Sequence, residues 1–236
     1  MSGRHRMLPM LQILAHAGEA PIVPPPSLSR TLDRQSQKDT VSQLLPSRTV
    51  VFLEGFARSP CYRVVDGCVA TYQTLSDGRR QVIDLAGPGR IVGLGAGDRN
   101  RHSAETLGFS RLEVVVEPLA ARDLEVALTE TLARSQALAM LLGRKTAPER
   151  VASAILDLAG QFGRPARHKR RGTVTFHLYP TRTDLADWLG LTVETVSRCF
   201  TRLKKAGLID IQHNDLVTLL EPARLALVAA GDCALS

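Results

Sequence analysis

Aromatic residues are scarce. Phe, Tyr and Trp make up 4% of the 236 residues, with a single tryptophan. A core built from this chain must therefore rest on Leu, Val, Ile and Ala. Cysteine is thin too: Cys61, Cys68, Cys199 and Cys233, with no C-x-x-C and no Cys/His run at zinc spacing. That pattern points away from a metal site and reads as reduced, structural thiols in a cytoplasmic protein. No apolar run approaches the roughly 18 residues of a membrane span, so no membrane partner is expected. "GLGAGDRN" (93–100) places Asp98 where the last glycine of G-x-G-x-x-G should stand, which removes a dinucleotide site. No Ser/His/Asp or Cys/His set has catalytic spacing. An enzyme is not expected, nor is a cofactor.

What is present is a hydrophobic fraction of 44%, enough for a real core, and 22% charged residues, too few for a disordered chain. The formal net charge is +7. Its location is informative. Between Arg164 and Lys205 stand ten bases (Arg164, Arg167, Lys169, Arg170, Arg171, Arg182, Arg198, Arg202, Lys204, Lys205) and three acids (Asp184, Asp187, Glu194). Ten minus three equals the whole excess, so the rest of the chain is close to neutral. The asymmetry implies one anion-binding portion near the C-terminus.

Five segments follow from composition and period. Residues 1–45 are rich in Pro, Ser and Gln, with "PPP" at 24–26, and read as a flexible extension. Their start imitates a signal peptide, but Pro9 and Gln12 interrupt the apolar run, and export is not expected. Residues 46–120 hold short strands: "TVVFL" (49–53), "CYRVV" (61–65), "CVATYQTL" (68–75), "SDGRRQVIDL" (76–85), "GPGRIVGL" (87–94) and "RLEVVVE" (111–117). Such spacing suggests an antiparallel sandwich or barrel. Asp66-Gly67 reads as a two-residue hairpin turn. In that register Val65 faces Cys68 and Cys61 faces Tyr72, which leaves Cys61 and Cys68 out of position for a direct disulfide. Residues 121–143 change period: Leu124, Leu128, Leu132, Ser135, Ala139 and Leu142 step by fours and threes. This helix either packs within its own subunit or pairs with its twin in a homodimer, and the second is favoured. Residues 144–222 begin with another helix, carrying Val151, Ile155, Leu158 and Phe162 and started by Pro148. A basic linker (163–172) and a strand (173–180) come next. Residues 223–236 read as a tail.

The sharpest signal is "TRTDLADWLGLTVETVSRCFTRLKK" (181–205). Thr181 and Asp184 form a capping-box-like start. Gly190 supplies a left-handed turn, and Thr192 can cap a second helix. On that helix Val196, Cys199, Phe200 and Leu203 form the buried stripe. Glu194, Thr195, Ser197, Arg198 and Arg202 then face outward. "LIDI" (208–211) and "LVTLL" (216–220) make a β-wing around His213-Asn214-Asp215. This is a winged helix-turn-helix. The outward residues suit bases: Arg198 can donate twice to guanine, Glu194 can accept from cytosine, and Ser197 can touch either. Arg182, Thr192, Thr195, Arg202, Lys204, Lys205 and the linker bases suit phosphates, which position without specifying. Cys199 has two readings. Neighbouring bases would activate a redox thiol, whereas its place on the apolar stripe makes an inert core thiol. The core reading is favoured.

At these residues the chain resembles the Crp/Fnr family of bacterial transcription regulators. "GLTVETVSR" (190–198) is similar to the recognition segment of the Fnr and FixK branches, where the E-x-x-S-R pattern (here Glu194, Ser197 and Arg198) reads TTGAT half-sites. "LLGRKTAPERVASAILDL" (141–158) resembles the end of the family's dimerisation helix and the helix after it. "SDGRRQVIDLAGPGRIVGL" (76–94) resembles its sensory β-roll. The resemblance spans residues 48–220. It implies an α+β fold: an N-terminal antiparallel β-roll of cyclic-nucleotide-binding type, a long dimerisation helix and a C-terminal winged helix-turn-helix. It also implies a homodimer on TTGAT-N4-ATCAA-like palindromes, most simply as an activator with RNA polymerase as a partner. Where the family's cyclic-nucleotide rolls carry Glu and Arg, this chain has Leu94 and His102, with Arg101 one place early. That disfavours cyclic AMP. No cysteine precedes Cys61, which disfavours the family's iron–sulfur cluster. The remaining alternative is an effector-dependent sensor whose roll binds a nucleotide, a metal or a redox cofactor.

Overall fold

The computed structural model describes residues 42–116, 118–165, 173–213 and 215–234. The expected extension therefore lies outside the described residues up to position 41, as do linker residues 166–172. The described residues form two compact units. The first holds residues 42–144 with Tyr179–Val193, and the second holds Lys145–Leu178 with the residues from Glu194 on.

The first unit is built on eight strands: β1 (Ser42–Leu45), β2 (Val50–Phe52), β3 (Tyr62–Asp66), β4 (Val69–Thr74), β5 (Arg80–Ala86), β6 (Ile91–Val92), β7 (Ser103–Thr106) and β8 (Ser110–Val114). They make two antiparallel four-stranded sheets, ordered β1-β8-β3-β6 and β2-β7-β4-β5. Both sheets feed one core: Phe52, Val64, Val69, Ala86, Val92, Ala104 and Leu112. Phe52 is the one aromatic among these seven, with half-buried Tyr62 packed against them.

Asp66-Gly67 is a turn but not a hairpin. β3 pairs with β6 and β8, whereas β4 pairs with β5 and β7. The chain crosses here from one sheet to the other, so the expected register of Cys61 opposite Tyr72 does not form. The physical reason lies at Gly67. Its φ is +87°, and a Cβ there would fall 2.3 Å from Ser110 Oγ and 2.5 Å from Phe109 O. The glycine is needed for close approach beneath the β7–β8 turn, where Ser110 Oγ accepts from Cys68 N at 3.1 Å. Cys61 and Cys68 are both buried thiols. The second Asp-Gly, Asp77-Gly78, does close a hairpin: Thr74 opposes Arg80, and Leu75 N donates to Arg79 O at 2.8 Å.

Two strands of this unit are not expected from the sequence, and in the second unit Arg164–Pro165 forms a further strand inside the segment read as a linker. β1 falls inside the segment read as an extension and pairs with β8. β7, of sequence Ser-Ala-Glu-Thr, is buried at every position between β2 and β4.

Helix α1 (Ala121–Arg144) closes the described part of the chain before residue 145. Only Ala127 and Leu141 are buried on it. Its expected stripe stands in the open, with Leu124, Leu128 and Leu132 exposed at 37%, 50% and 60%. Among the described residues of one subunit, nothing buries this edge.

In the second unit, α2 (Ala147–Phe162) buries Val151, Ile155 and Leu158. Thr146 N donates to Glu149 Oε2 at 3.1 Å at its start. Strands β9 (Arg164–Pro165), β10 (Val174–His177), β11 (Ile209–Gln212) and β12 (Leu216–Leu219) form a sheet ordered β11-β12-β10-β9. The segment read as a tail carries a helix, α5 (Pro222–Ala230), with Leu225, Val228 and Ala229 buried. Lys145 Nζ ties α2 to it, donating to Ser153 Oγ at 2.7 Å and Ala229 O at 2.8 Å. Proline at its first turn and apolar residues at i, i+3 and i+4 are the signals that mark this helix in the sequence.

Candidate nucleic-acid interface

Helix α3 (Arg182–Leu189) starts on the expected capping box. Thr181 Oγ1 accepts from Asp184 N at 3.2 Å, and Asp184 Oδ2 accepts from Thr181 N at 2.8 Å. Gly190 ends it in the left-handed region, φ 60° and ψ 44°, where a side chain on Cβ is disfavoured. Three residues after α3, the chain enters α4 (Val193–Lys205). This is the helix-turn-helix order.

Helix α4 divides by face as expected. Val196, Cys199, Phe200 and Leu203 are buried. Glu194, Arg198, Arg202 and Lys204 are exposed, and Thr195 and Ser197 are half-buried. Glu194 and Arg198 are one turn apart and so share a side of the helix. The first turn carries the acid and the last turn carries Arg202, Lys204 and Lys205, each matching the helix dipole.

The backbone candidates divide between the units. Arg182 and Thr192 belong to the first, and Thr195, Arg202 and Lys204 to the second. Arg182 is half-buried, and burial lowers its pKa from the ordinary arginine value. Lys204 already has partners: its Nζ donates to Ile211 O at 3.3 Å and pairs with Asp210 Oδ1 at 3.3 Å on the wing strand β11. Such exposed pairs are weak and exchangeable. Burial pushes the Cys199 thiol up, with Arg202 only partly opposing it, so the thiolate needed for redox chemistry is disfavoured. The linker bases Arg167, Lys169, Arg170 and Arg171 lie outside the described residues.

Comparison with known proteins agrees with this arrangement. Residues 149–228 match the Crp-like helix-turn-helix domain, and residues 43–116 match the cyclic nucleotide-binding domain. The nitrogen fixation regulation protein FixK of Rhizobium meliloti is 34% identical over 189 residues, covering 78% of this chain and 85% of that one. The chain belongs to the Crp/Fnr family of transcription regulators, on its FixK-like side. The transcriptional activatory protein AadR of Rhodopseudomonas palustris is 36% identical over 195 residues, covering 78% of this chain and 79% of its own. The solved structure of FixK2 from Bradyrhizobium japonicum has a TM-score of 0.72 at 29% identity, covering 84% of this chain and 100% of its own. The architecture is that of a Crp/Fnr regulator, and the family's members are not enzymes.

At Leu94 and His102 the roll departs from the nucleotide site for which its domain type is named. A hollow beside β6 is lined by Phe52, Leu94, Arg101 and His102, among others. Leu94 offers no acceptor to a ribose hydroxyl. His102 packs edge-on against Phe52, with ring centroids 5.6 Å apart, and burial lowers its pKa. His102 is thus a poorer phosphate anchor than an arginine, and the guanidiniums that line the hollow are those of Arg58, Arg99 and Arg101.

Proposed function

We propose that this chain works as a homodimer that reads TTGAT-N4-ATCAA-like palindromes. As a Crp/Fnr regulator it is a DNA-binding transcription factor. The finer reading gives Glu194, Ser197 and Arg198 to base edges and Arg182, Thr192, Thr195, Arg202 and Lys204 to phosphates. The observation that carries it is the exposure of Glu194 and Arg198, a carboxylate and a guanidinium spaced for one helix side, opposite a closed apolar stripe. These two groups match a neighbouring C and G in the major groove. The open leucine edge of α1 supports the homodimer, because a twin helix would remove it from water. AadR and the Anr protein of Pseudomonas protegens are named transcriptional activators, which supports activation and a contact with RNA polymerase here. Among the described residues no helix is long and apolar enough to cross a membrane. We place the protein in the cytoplasm, where its DNA is.

Selection of binding sites from random duplex DNA tests this directly. A recovered palindrome of TTGAT half-sites, without any added effector, supports it. Recovery of no motif contradicts it. The alternative sensor reading requires that a motif emerge only when a nucleotide, metal or redox cofactor is supplied.

A further inference from the structure

Within the first unit, a group of charged side chains joins α3 to the roll. Asp184 is its centre, with a side chain only 4% exposed. Its Oδ2 accepts from Thr181 N at 2.8 Å, from Thr181 Oγ1 at 2.7 Å, and from Arg48 Nη2. Its Oδ1 accepts from Arg48 Nη1 and Arg80 Nη2, both at 2.9 Å. Behind the two guanidiniums Glu105 of β7 accepts from Arg48 Nη1 at 3.1 Å and from Arg80 Nη1. Arg80 also lies 4.5 Å over the Tyr72 ring, and its Nε is 3.3 Å from Asp187 Oδ2, too poorly directed for a hydrogen bond. One residue on, Gln81 Nε2 donates to Trp188 O at 3.2 Å, near the other end of α3.

A helix cap does not need this. Thr181 and Asp184 satisfy the first turn of α3 by themselves. Desolvating carboxylates and guanidiniums is costly, and such groups add little net stability even when fully paired. What they do impose is one geometry, because each guanidinium is a planar fork with fixed donor directions. Arg48 carries a further sign. Its φ is 62°, one of two positive values among described non-glycine residues. Strain of this kind persists only where the surroundings over-determine it, and it gathers at functional positions.

We propose that Arg48 and Arg80 are positioning residues for DNA binding. From the roll they clasp α3, the first helix of the helix-turn-helix, at its capped start. This rests on the DNA-reading assignment above, and goes beyond it by giving roll residues a part in DNA affinity.

The test uses full-length Arg80→Ala, Asp184→Asn and their double variant, with Arg48→Ala as a milder second probe. Asn keeps an acceptor for the cap of α3 but removes the charge. Two quantities are read: amide hydrogen exchange of α3 without DNA, and affinity for the palindrome and for scrambled duplex. The clasp requires exchange in α3 to quicken about tenfold in Arg80→Ala while α2 keeps its protection, and palindrome affinity to fall about tenfold while scrambled-DNA affinity stays put. The double variant must bind no worse than the poorer single variant, since both remove the same contact. Unchanged exchange and affinity in both arginine variants overturn the proposal. So do losses that multiply in the double variant, or a rise in affinity. A wild type with no preference for the palindrome overturns the DNA-reading assignment and this inference with it. A selective wild type with indifferent variants overturns the clasp alone.

Discussion

Arg134 of α1 donates through Nε to Asp84 Oδ1 on β5 at 2.6 Å. Arg90 holds the other carboxylate oxygen at 2.9 Å. Arg90 also stands 3.6 Å from Glu130 of α1. β5 thus anchors two helices, α3 through Arg80 and α1 through Asp84. Asp84→Ala takes the shared carboxylate away from two largely buried guanidiniums. The expected loss is about 2–3 kcal/mol, read by chemical denaturation. An unchanged midpoint would show that the pair adds nothing.

The leucine edge of α1 gives the second prediction. Leu128 and Leu132 are 50% and 60% exposed, so a charge at either costs the single subunit little. Across a twin helix the same charge is buried. Leu132→Glu is expected to convert the dimer to monomer in sedimentation, with folding retained and affinity for a palindrome lost. A variant that stays dimeric would place the dimer contact elsewhere.

Asp184 and Asp187 are expected to respond to acid in opposite ways. Burial opposes the charge on Asp184, but hydrogen bonds from Arg48 and Thr181 outweigh it and hold its pKa below the ordinary 3.8. Its contribution is therefore complete above 3.8 and is lost as pH falls through the lower folded value. Burial raises the pKa of Asp187, Asp184 and Glu105 add to the rise, and Arg80 opposes it. Ionised Asp187 thus works against folding, and protonation relieves this as pH falls through its raised folded value. At neutral pH Asp184→Asn is expected to lower stability by about 1–3 kcal/mol, and Asp187→Asn to leave it equal or higher. Both differences shrink toward acid, that of Asp187→Asn first. Urea denaturation from neutral to about pH 3 reads both.

Thiol labelling separates the cysteines. Cys233 is exposed, whereas Cys199 is buried, with its thiol pKa raised by that burial. A maleimide is expected to modify Cys233 promptly and Cys199 only as the protein opens. Peroxide at levels that oxidise Cys233 should leave DNA binding equal in wild type and Cys199→Ser. Protection by Cys199→Ser would restore the redox reading of this residue.

Much of this molecule is legible in its sequence because the signals are local. The capping box at Thr181, the glycine turn at Gly190 and the four-residue stripe of α4 are each set by neighbours within a turn or two. So is the open edge of α1, where six positions repeat at helical period. Other features escaped because their causes are distant. β7 reads as polar and small, yet it is buried because strands close on both sides of it. Asp66-Gly67 carries a hairpin signal, but packing against Ser110 turns it into a crossing. Arg48 and Asp184 are 136 positions apart. No periodicity joins them, and only the fold brings the guanidinium to the carboxylate.

The proposed DNA reading depends most on Arg198 at a base edge. Its most direct measurement is the affinity of wild type and Arg198→Ala for a TTGAT-type palindrome, for the same site with the G·C pair of each half-site replaced, and for scrambled duplex. Arg198→Ala is expected to cost about 1–3 kcal/mol on the palindrome, to lose discrimination at the replaced pair, and to bind scrambled DNA nearly as wild type does. Equal discrimination by both proteins at that pair would contradict it.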